Sequence, residues 1–432
     1  MISRRRFLEV GSVTAGMAIA SRSPVTSAAA EVADASLPPS LAKLKSRKSE
    51  AVPIKIEERQ ARQEHARQLM NENGLDAILL MEGTSLKYFT GIRWWGGERT
   101  FALVLPAKGA AFYVCPGFEE GRAREQIRNA PDGEQPDVRV WQENESPYER
   151  IAQGLKERSI ASGKIGIEET VRFVFADGIA KAASQATLAS ATPVTSGCRM
   201  IKSPQEIALM RLAAQVTLAA YHAAYLAVKD GMTQPQLESL VEKAHERLGF
   251  TGGADVQVGE FSAFPHGSVT PQVVHEGTIV LMDGGCAVEG YQSDITRTYV
   301  LGRATDKMNK VFDTVLRAQS AALAQARPGV DCGSVDAAAR KVVTDGGYGP
   351  DYKYFTHRLG HGMGMDGHEW PYLVRDNPTK LQANMTTSNE PGIYIRGEFG
   401  VRIEDDMHVK ENGAELFTPQ TVSLEDPFGR AW

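Results

Sequence analysis

The 432-residue sequence has few cysteines, no long apolar run and no excess of basic charge. Its four cysteines, Cys115, Cys198, Cys286 and Cys332, form no C-x-x-C pair, which argues against a zinc ribbon or a thioredoxin-like redox site. No apolar run is long enough to span a membrane. The net charge of −5 gives no sign of a surface that binds nucleic acid.

What remains is a globular composition, 42% hydrophobic and 23% charged, with enough length for one to three domains. The sequence shows no clear internal repeat and no low-complexity tract. Cys286 lies beside the candidate site described below, and we interpret it as a small buried apolar residue rather than a ligand.

The N-terminus has the order of an export signal. Residues 3–8, SRRRFL, precede a mildly apolar stretch and then the small residues of TSAAAEVADA. A charged region, a short apolar region and a small-residue cleavage site are typical of a secretory signal, and Ser-Arg-Arg-x-Phe-Leu resembles a twin-arginine motif. We expect residues 1–35 to direct a folded protein to the periplasm, with cleavage at about residues 30–35. The alternative is a basic N-terminus that carries no export signal.

The remaining chain divides into two predicted domains after a lead-in linker at residues 36–54. Short apolar runs alternate with helical patterns over residues 55–199, which predicts an α/β domain. A capping box formed by Ser203 and Glu206 predicts a long helix that ends at Gly231 and opens a second domain over residues 200–432.

Two aspartates stand at the ends of neighbouring apolar runs in DGGCAVEGYQSD, which runs from Asp283 to Asp294. A hairpin centred between Val288 and Glu289 would place them directly opposite each other, with Cβ atoms about 4.5–5.5 Å apart. Carboxylates that close repel unless a proton or a cation lies between them. This pair alone leaves two interpretations open: a metal site, or two solvated aspartates flanking a loop.

A second segment, HRLGHGMGMDGHEWP, contains His357, His361 and His368 among four glycines. Glycines allow a backbone to approach a site closely. The segment lacks H-E-x-x-H, which excludes the thermolysin-like helical pattern. Taken singly, each histidine is more often a structural group than a ligand.

Two glutamates complete the set of candidate ligands. Glu390, in SNEPGIY, stands where a strand is predicted to end, and Glu404, in VRIEDD, shares one strand face with Arg402. A carboxylate buried on an apolar strand needs a partner. Individually, both are more often exposed or paired in ion pairs.

The order of these motifs resembles a family of dinuclear metallopeptidases that includes prolidase, aminopeptidase P and methionine aminopeptidase. The resemblance is dense over residues 200–432 and looser over residues 55–195, through SLKYFTGI, and SAFPHG adds His266. It implies an α+β fold, in which an α/β N-terminal domain precedes a pita-bread domain whose helices cover a curved, mostly antiparallel sheet.

The same resemblance implies two divalent metal ions per chain. Asp283 would bind one ion, His361 and Glu390 the other, and Asp294 and Glu404 would bridge both. Oxygen and nitrogen ligands without a thiolate suit manganese, and also cobalt, iron or zinc.

For the chemistry, the resemblance implies a hydroxide held between the ions that attacks the peptide bond before proline. Glu390 would take a proton from the attacking water, and Arg402 would orient Glu404. His266 and His368 would stabilise the oxyanion or protonate the leaving nitrogen. His357 would line the proline pocket, although packing within the loop explains it equally well.

The substrate-binding residues are less fully matched. Many prolidases carry an arginine just after H-E-x-P, where this sequence has Tyr372, so we expect Arg375 to contact the carboxylate of a dipeptide. The aromatic pair Trp94 and Trp95 is either core packing or, by analogy with the family, a loop that reaches the active site of a partner in a homodimer.

The sequence therefore predicts an Xaa-Pro dipeptidase that acts on proline-containing peptides. The main alternative is an aminopeptidase P that acts on longer peptides, which SNEPG also resembles. A metal-free, creatinase-like hydrolase and an inactive binding protein on the same scaffold are disfavoured, because all five ligand positions are filled.

Overall fold

The computed structural model describes residues 37–94 and 96–429. The predicted export signal, at residues 1–35, and Trp95 lie outside the described residues. None of the described helices combines the length and the apolar character needed to cross a bilayer. All four cysteines are described, buried and unpaired.

The N-terminal domain is a six-stranded mixed sheet with the strand order β4-β3-β2-β1-β5-β6. Alternate residues of β1 pack into different apolar clusters, with Ile78 and Leu80 on one face and Leu79 and Met81 on the other, so both faces are buried. Its elements are α2 (Ile56–Glu72), β1 (Ala77–Met81), α3 (Thr84–Thr90), β2 (Ala102–Pro106), β3 (Phe112–Pro116), α4 (Glu120–Ile127), β4 (Val138–Trp141), α5 (Pro147–Glu157), β5 (Lys164–Ile167), α6 (Phe173–Ala182), β6 (Thr187–Ser190) and α7 (Thr192–Met200).

The segment predicted as a linker is packed rather than free. It contains the short helix α1 (Pro39–Ala42), and Leu41 and Ile54 are buried in the apolar cluster of the C-terminal domain. The lead-in therefore lies against the second domain, because these two apolar side chains gain burial there.

The described part of the C-terminal domain contains four long helices and four antiparallel sheets, two of which have only two strands. Its helices are α8 (Pro204–Tyr225), α9 (Gln234–Leu248), α10 (Asp306–Gln325) and α11 (Cys332–Asp345). Its strands are β7 (Asp255–Val258), β8 (Ile279–Gly284), β9 (Ala287–Val288), β10 (Tyr291–Gln292), β11 (Ile295–Val300), β12 (Gly360–Gly362), β13 (Glu369–Leu373), β14 (Thr386–Asn389), β15 (Gly392–Ile395), β16 (Phe399–Arg402), β17 (Asp405–Lys410) and β18 (Gly413–Leu416).

Two of these sheets carry the candidate site. The first has the order β11-β8-β7 and the second β13-β12-β14-β17-β18, and a bridge between Thr296 and Glu404 joins them. Helices α8 and α9 contribute to one apolar cluster, and α10 and α11 to another. The predicted combination of α and β layers in two domains is confirmed.

The predicted start of α8 is correct, and its predicted end is not. Ser203 Oγ accepts a hydrogen bond from Glu206 N, and the Glu206 carboxylate accepts one from Ser203 N at 2.8 Å, as a capping box requires. The helix ends at Tyr225, and Gly231 follows in a left-handed conformation (φ 80°) after an intervening turn.

The predicted register of the aspartate hairpin is wrong, because the centre of the turn lies one residue further along the chain than predicted. Glu289 and Gly290 both have positive φ, 53° and 96°, and form a two-residue turn of the kind that tight hairpins prefer. Counting outward from this turn, Asp283 pairs with Thr296 rather than with Asp294. Asp294 immediately precedes β11, so the two carboxylates are neighbours without being opposed.

A buried histidine predicts how stability depends on pH. Burial lowers the pKa of His245 to about 4, while its Nδ1 donates to the Val241 carbonyl at 2.9 Å. Below pH 6.5 the unfolded chain binds a proton that folded His245 excludes, so stability falls until about pH 4. Between pH 7.5 and pH 5, wild type should lose about 2 kcal/mol more than His245→Gln. Urea unfolding of both metal-free proteins measures this, and equal losses contradict it.

Candidate metal centre

The five side chains predicted as metal ligands converge on one cavity of about 470 Å³. They are Asp283, Asp294, His361, Glu390 and Glu404. The two sheets supply them from opposite sides, because the aspartates lie on or beside β8 and β11 while the histidine lies on β12.

The ligand atoms form two groups that share Glu404. Asp283, Asp294 and Glu404 offer three oxygen atoms within 4.8 Å of one another, and so do one nitrogen and two oxygen atoms of His361, Glu390 and Glu404. His361 Nε2 also lies 3.8 Å from Asp294 Oδ2, which brings the two groups together. The arrangement suits two neighbouring cations, with Glu404 between them.

Two residues outside the predicted set hold the aspartates. Thr296 Oγ1 lies 2.6 Å from Asp283 Oδ1 and 2.7 Å from Glu404 Oε2, at the bridge between the sheets. The buried carboxylate of Asp406 accepts a hydrogen bond from the backbone N–H of Asp294 at 3.2 Å. Thr296 Oγ1 also accepts a hydrogen bond from Nε of the cavity-lining Arg402 at 3.1 Å, so the strand pairing ties the cluster to this arginine.

Glycines let the backbone around His361 approach its neighbours. A Cβ atom at Gly360 or Gly362 would lie 2.2 Å from a carbonyl oxygen of the adjoining strand. His361 Nδ1 donates to the Gly362 carbonyl at 3.1 Å, so Nε2 is the nitrogen presented to the cluster. That nitrogen lies 3.3 Å from Glu390 Oε1.

The electrostatics of the cluster favour bound cations. Burial, and then repulsion by other carboxylates, raises the pKa of Asp294 and of Glu404. Although burial opposes it, contact with His361 holds the pKa of Glu390 below its usual range. Glu404 Oε1 is buried and has no hydrogen-bond partner among the described residues. Divalent cations would satisfy this atom and neutralise the crowded carboxylates, so the residues fit such ions.

The donor set contains oxygen and nitrogen atoms and no sulfur. Cys286 is buried, and its thiol donates to the Ala213 carbonyl at 3.4 Å instead of lining the cavity. Burial raises the pKa of this thiol to about 11, which keeps it protonated. The interpretation of Cys286 as a packing residue agrees with these contacts.

Arg402 supports the cluster, but mainly through Asp283 rather than Glu404. Its Nη2 lies 2.5 Å from Asp283 Oδ2, whereas its Nε lies 3.9 Å from Glu404 Oε2. Its Nη1 donates to the hydroxyl of Tyr394 at 2.9 Å. Arg402 therefore contacts Asp283 more closely than Glu404, and its expected role in orienting Glu404 stays a prediction.

His357 lines the cavity beside the same network. Its Nδ1 donates to the Arg358 carbonyl and its Nε2 accepts from the Tyr394 hydroxyl, both at 2.7 Å. Burial lowers the pKa of His357 to about 4, so the ring is neutral near pH 7. A neutral ring fixed at both nitrogens forms a rigid wall for an apolar group.

The two histidines with predicted catalytic roles, His266 and His368, also line the cavity. The His368 ring stacks on His361 with centroids 3.7 Å apart. Arg358 Nη2 donates to His368 Nδ1 at 3.2 Å, so the His368 hydrogen is on Nε2. Burial, aided by positive charge on His361 and Arg358, lowers the pKa of His368 to about 4.

The structure does not place Arg375 or Tyr372 at the cavity. Arg375 is 40% exposed and pairs with Asp351 at 2.9 Å, while Tyr372 packs against Trp370. The expected contact of Arg375 with the substrate carboxylate is not supported, because its loop presents the guanidinium to Asp351. The cation that does line the cavity without a carboxylate partner among the described residues is Arg358.

Trp94 lies in a separate surface cleft of the same chain, lined also by Lys87 and Met365. Its ring stacks on Phe101 with centroids 4.0 Å apart. Its predicted contact with a partner's active site therefore stays a prediction.

A buried ion-pair network fastens the loop of His368 to the N-terminal domain. Lys202 Nζ donates to Glu369 Oε1 at 2.6 Å, and Arg199 of α7 donates to both Glu369 and Asp366. Lys202 and Glu369 are buried, so removing one partner would leave an unpaired charge. The N-terminal domain thereby positions the segment that carries His368.

Sequence reasoning missed five residues of the site. Arg358, Tyr394 and Asp406 stand inside motifs that were recognised, HRLGH, EPGIY and VRIEDD, and those motifs were the available signal. Thr296 and Asp255 gave no signal, because their positions depend on strand register.

Two family models match the chain and together span most of it. Residues 62–201 match the Creatinase/Prolidase N-terminal domain, and residues 208–411 match Metallopeptidase family M24.

Similar proteins of known name agree with these models. An Xaa-Pro dipeptidase of Lactobacillus delbrueckii subsp. lactis is 33% identical over 371 residues, which cover 82% of this chain and 96% of that protein. The crystal structure of dipeptidase PepE from Mycobacterium ulcerans matches with a TM-score of 0.81 at 31% identity. The match covers 87% of this chain and 99% of that chain. The structure of an X-Pro aminopeptidase from Thermotoga maritima matches with a TM-score of 0.71 at 28% identity, over 84% of this chain and 99% of that chain. The predicted pita-bread fold is confirmed.

Proposed function

The chain belongs to metallopeptidase family M24, and we propose that it is an Xaa-Pro dipeptidase that uses two divalent metal ions. The observation that carries the proposal is the pair of ligand groups that share Glu404 in one cavity. Beside them stand the neutral His357 and His368, and Arg358, which has no carboxylate partner among the described residues; such groups suit a proline dipeptide.

In this proposal Asp283, Asp294, His361, Glu390 and Glu404 would hold two ions. When bound, such ions would lower the pKa of a water molecule and polarise the scissile carbonyl. The oxygen and nitrogen donors favour manganese, with cobalt, iron or zinc as alternatives.

The chain's own residues then handle the protons. Glu390, whose pKa lies below its usual range, stays ionised and accepts a proton from the attacking water. His368 Nε2–H donates to the developing oxyanion. His266 passes a proton to the leaving nitrogen, which must be protonated because proline leaves as a secondary amine. The ring of His357, held in place by the Tyr394 hydroxyl, forms the wall of the proline pocket.

Arg358 supports a dipeptide rather than a longer peptide as substrate. A dipeptide ends in a carboxylate just beyond proline, and burying that charge without a cation is costly. Arg358 lines the cavity and is free of carboxylate partners among the described residues. An aminopeptidase P, the second candidate, has no carboxylate to bind at that position.

Arg358→Met should raise KM for Xaa-Pro about tenfold, which corresponds to about 1.4 kcal/mol, because it removes a charge-assisted hydrogen bond from a partly exposed site. The KM for Xaa-Pro-amide, which lacks the carboxylate, should change little in the same variant. Steady-state kinetics on dipeptide, amide and tripeptide measure both effects.

Arg375→Met is the matched control, because Arg375 is an arginine outside the cavity and should leave all three substrates unaffected. If wild type cleaves tripeptides as fast as dipeptides, aminopeptidase P is the better description. If Arg358→Met weakens dipeptide and amide equally, Arg358 acts through His368 alone.

Three further expectations accompany the proposal. Metal bound in the purified protein separates the enzyme from an inactive scaffold. The signal-like N-terminus supports action in the periplasm after export. The exposed cleft around Trp94 supports a homodimer in which this loop approaches the partner's site.

A further inference from the structure

Asp255 is a carboxylate in the cavity that the metal cluster does not use. It lies on β7, the edge strand of the three-stranded sheet, and pairs directly with Asp283 on β8. Opposed residues of an antiparallel pair point to the same face, with Cβ atoms about 4.5–5.5 Å apart. Asp255 therefore faces the cavity one strand further out than the cluster.

No cation among the described residues forms an ion pair or hydrogen bond with Asp255. Arg402 acts on Asp255 through its charge, but its guanidinium is engaged by Asp283 and by the Pro265 carbonyl. Asp283 and Glu238 add negative charge beside Asp255, and Glu238 accepts a hydrogen bond from Val256 N at 3.2 Å. The charge of His266 also acts on Asp255. The edge of the cavity thus carries a carboxylate that no cation among the described residues contacts directly.

The part of a substrate that meets this edge follows from bond connectivity. The α-ammonium of an Xaa-Pro dipeptide is two bonds from the scissile carbonyl carbon, so it must lie against the cluster itself. The side chain of Xaa can extend away from the cluster. Asp255 is exposed at the cavity edge, where a long side chain with a terminal charge reaches it.

We propose that Asp255 selects a lysine or arginine as the residue before proline. Arg358 and Asp255 then serve opposite charges of one substrate: Arg358 precedes β12 in the second sheet and contacts the carboxylate, and Asp255 on β7 contacts the basic side chain. This preference rests on the proposed cleavage of Xaa-Pro dipeptides and specifies its substrate class.

The test compares Arg-Pro with citrulline-Pro, whose side chain has nearly the same shape and no charge. Wild type, loaded with metal, should show kcat/KM about tenfold higher for Arg-Pro, the lower range for a charge-assisted contact at an exposed position. Asp255→Asn should reduce kcat/KM for Arg-Pro to the value for citrulline-Pro. It should leave kcat/KM for citrulline-Pro unchanged. High salt should shrink the wild-type ratio, because an exposed ion pair is screened.

Glu260→Gln is the matched control, since Glu260 is an exposed acid on the same segment that does not line the cavity. Glu260→Gln should keep the wild-type ratio of kcat/KM for Arg-Pro to kcat/KM for citrulline-Pro. Asp255→Lys adds a reversal test: it should favour Glu-Pro over Arg-Pro, and metal content verifies that the variant is folded.

The failures are distinguishable. Equal kcat/KM for Arg-Pro and citrulline-Pro in wild type overturns the inference and leaves the dipeptidase function intact. An equal loss on both substrates in Asp255→Asn also overturns it, because Asp255 then supports the cluster or the α-ammonium. If wild type cleaves no Xaa-Pro dipeptide at all, the proposed function and the inference fall together.

Discussion

Asp294→Ala is expected to lower kcat/KM for an Xaa-Pro dipeptide by roughly 10³-fold or more, since metal-assisted catalysis supplies several kcal/mol of transition-state stabilisation. The physical reason is that Asp294 contributes to the group with Asp283 and Glu404 and also lies beside His361. Kinetics at saturating manganese and elemental analysis of the same samples measure the effect. Bound metal should fall from about two ions per chain.

A second readout separates this loss from misfolding. Burial, and then Asp283, raises the pKa of Asp294, which means that its charge is costly when no cation is present. The metal-free variant should therefore be at least as stable in urea as metal-free wild type. Asp345→Ala, at an exposed aspartate at the end of α11, should change neither activity nor metal content. Full activity in wild-type protein without metal would contradict the dinuclear assignment.

The sequence predicted what depends on local chemistry. The capping box formed by Ser203 and Glu206 needed only neighbouring residues, and the structure has it. The candidate ligands, among them Asp283 and Glu404, were identified from the order of motifs along the chain. This identification does not depend on how the strands pair.

What the sequence did not predict depends on register and on distant partners. The turn at Glu289 and Gly290 moves the hairpin centre by one residue, and Asp283 meets Thr296 instead of Asp294. Register also decides that Asp255 faces the cavity, since an edge strand displaced by one residue would turn its side chain away.

The arginines show the same limit. Arg375 stood at a suitable spacing from Glu369, yet a partner far away in sequence, Asp351, holds it outside the cavity. Arg358 adjoins His357 and lines the cavity because the chain bends into β12 there. Both arginines stand in or near a recognised motif, and only the tertiary contacts separate them.

His368→Ala is expected to lower kcat by roughly 10²–10³-fold, the range for losing one donor to an oxyanion. The geometry supports a donor role because Arg358 occupies Nδ1 and leaves the hydrogen on Nε2. Burial lowers the pKa of His368 to about 4, so at pH 7 the ring is neutral and keeps this single N–H. KM should change less than kcat, because the donor acts mainly in the transition state.

Two variants and one measurement make this prediction decisive. His368→Gln retains an N–H donor on a shorter side chain and should recover part of the loss, whereas His275→Ala, at an exposed histidine paired with Asp230, should have no effect. Metal content is the critical measurement, because His368 also groups with Asp294 and His361 closely enough to hold an ion. If His368→Ala retains about two ions per chain while kcat falls, the ring acts on the substrate. If an ion is lost with the imidazole, His368 is a ligand, and the oxyanion donor must be sought at His266.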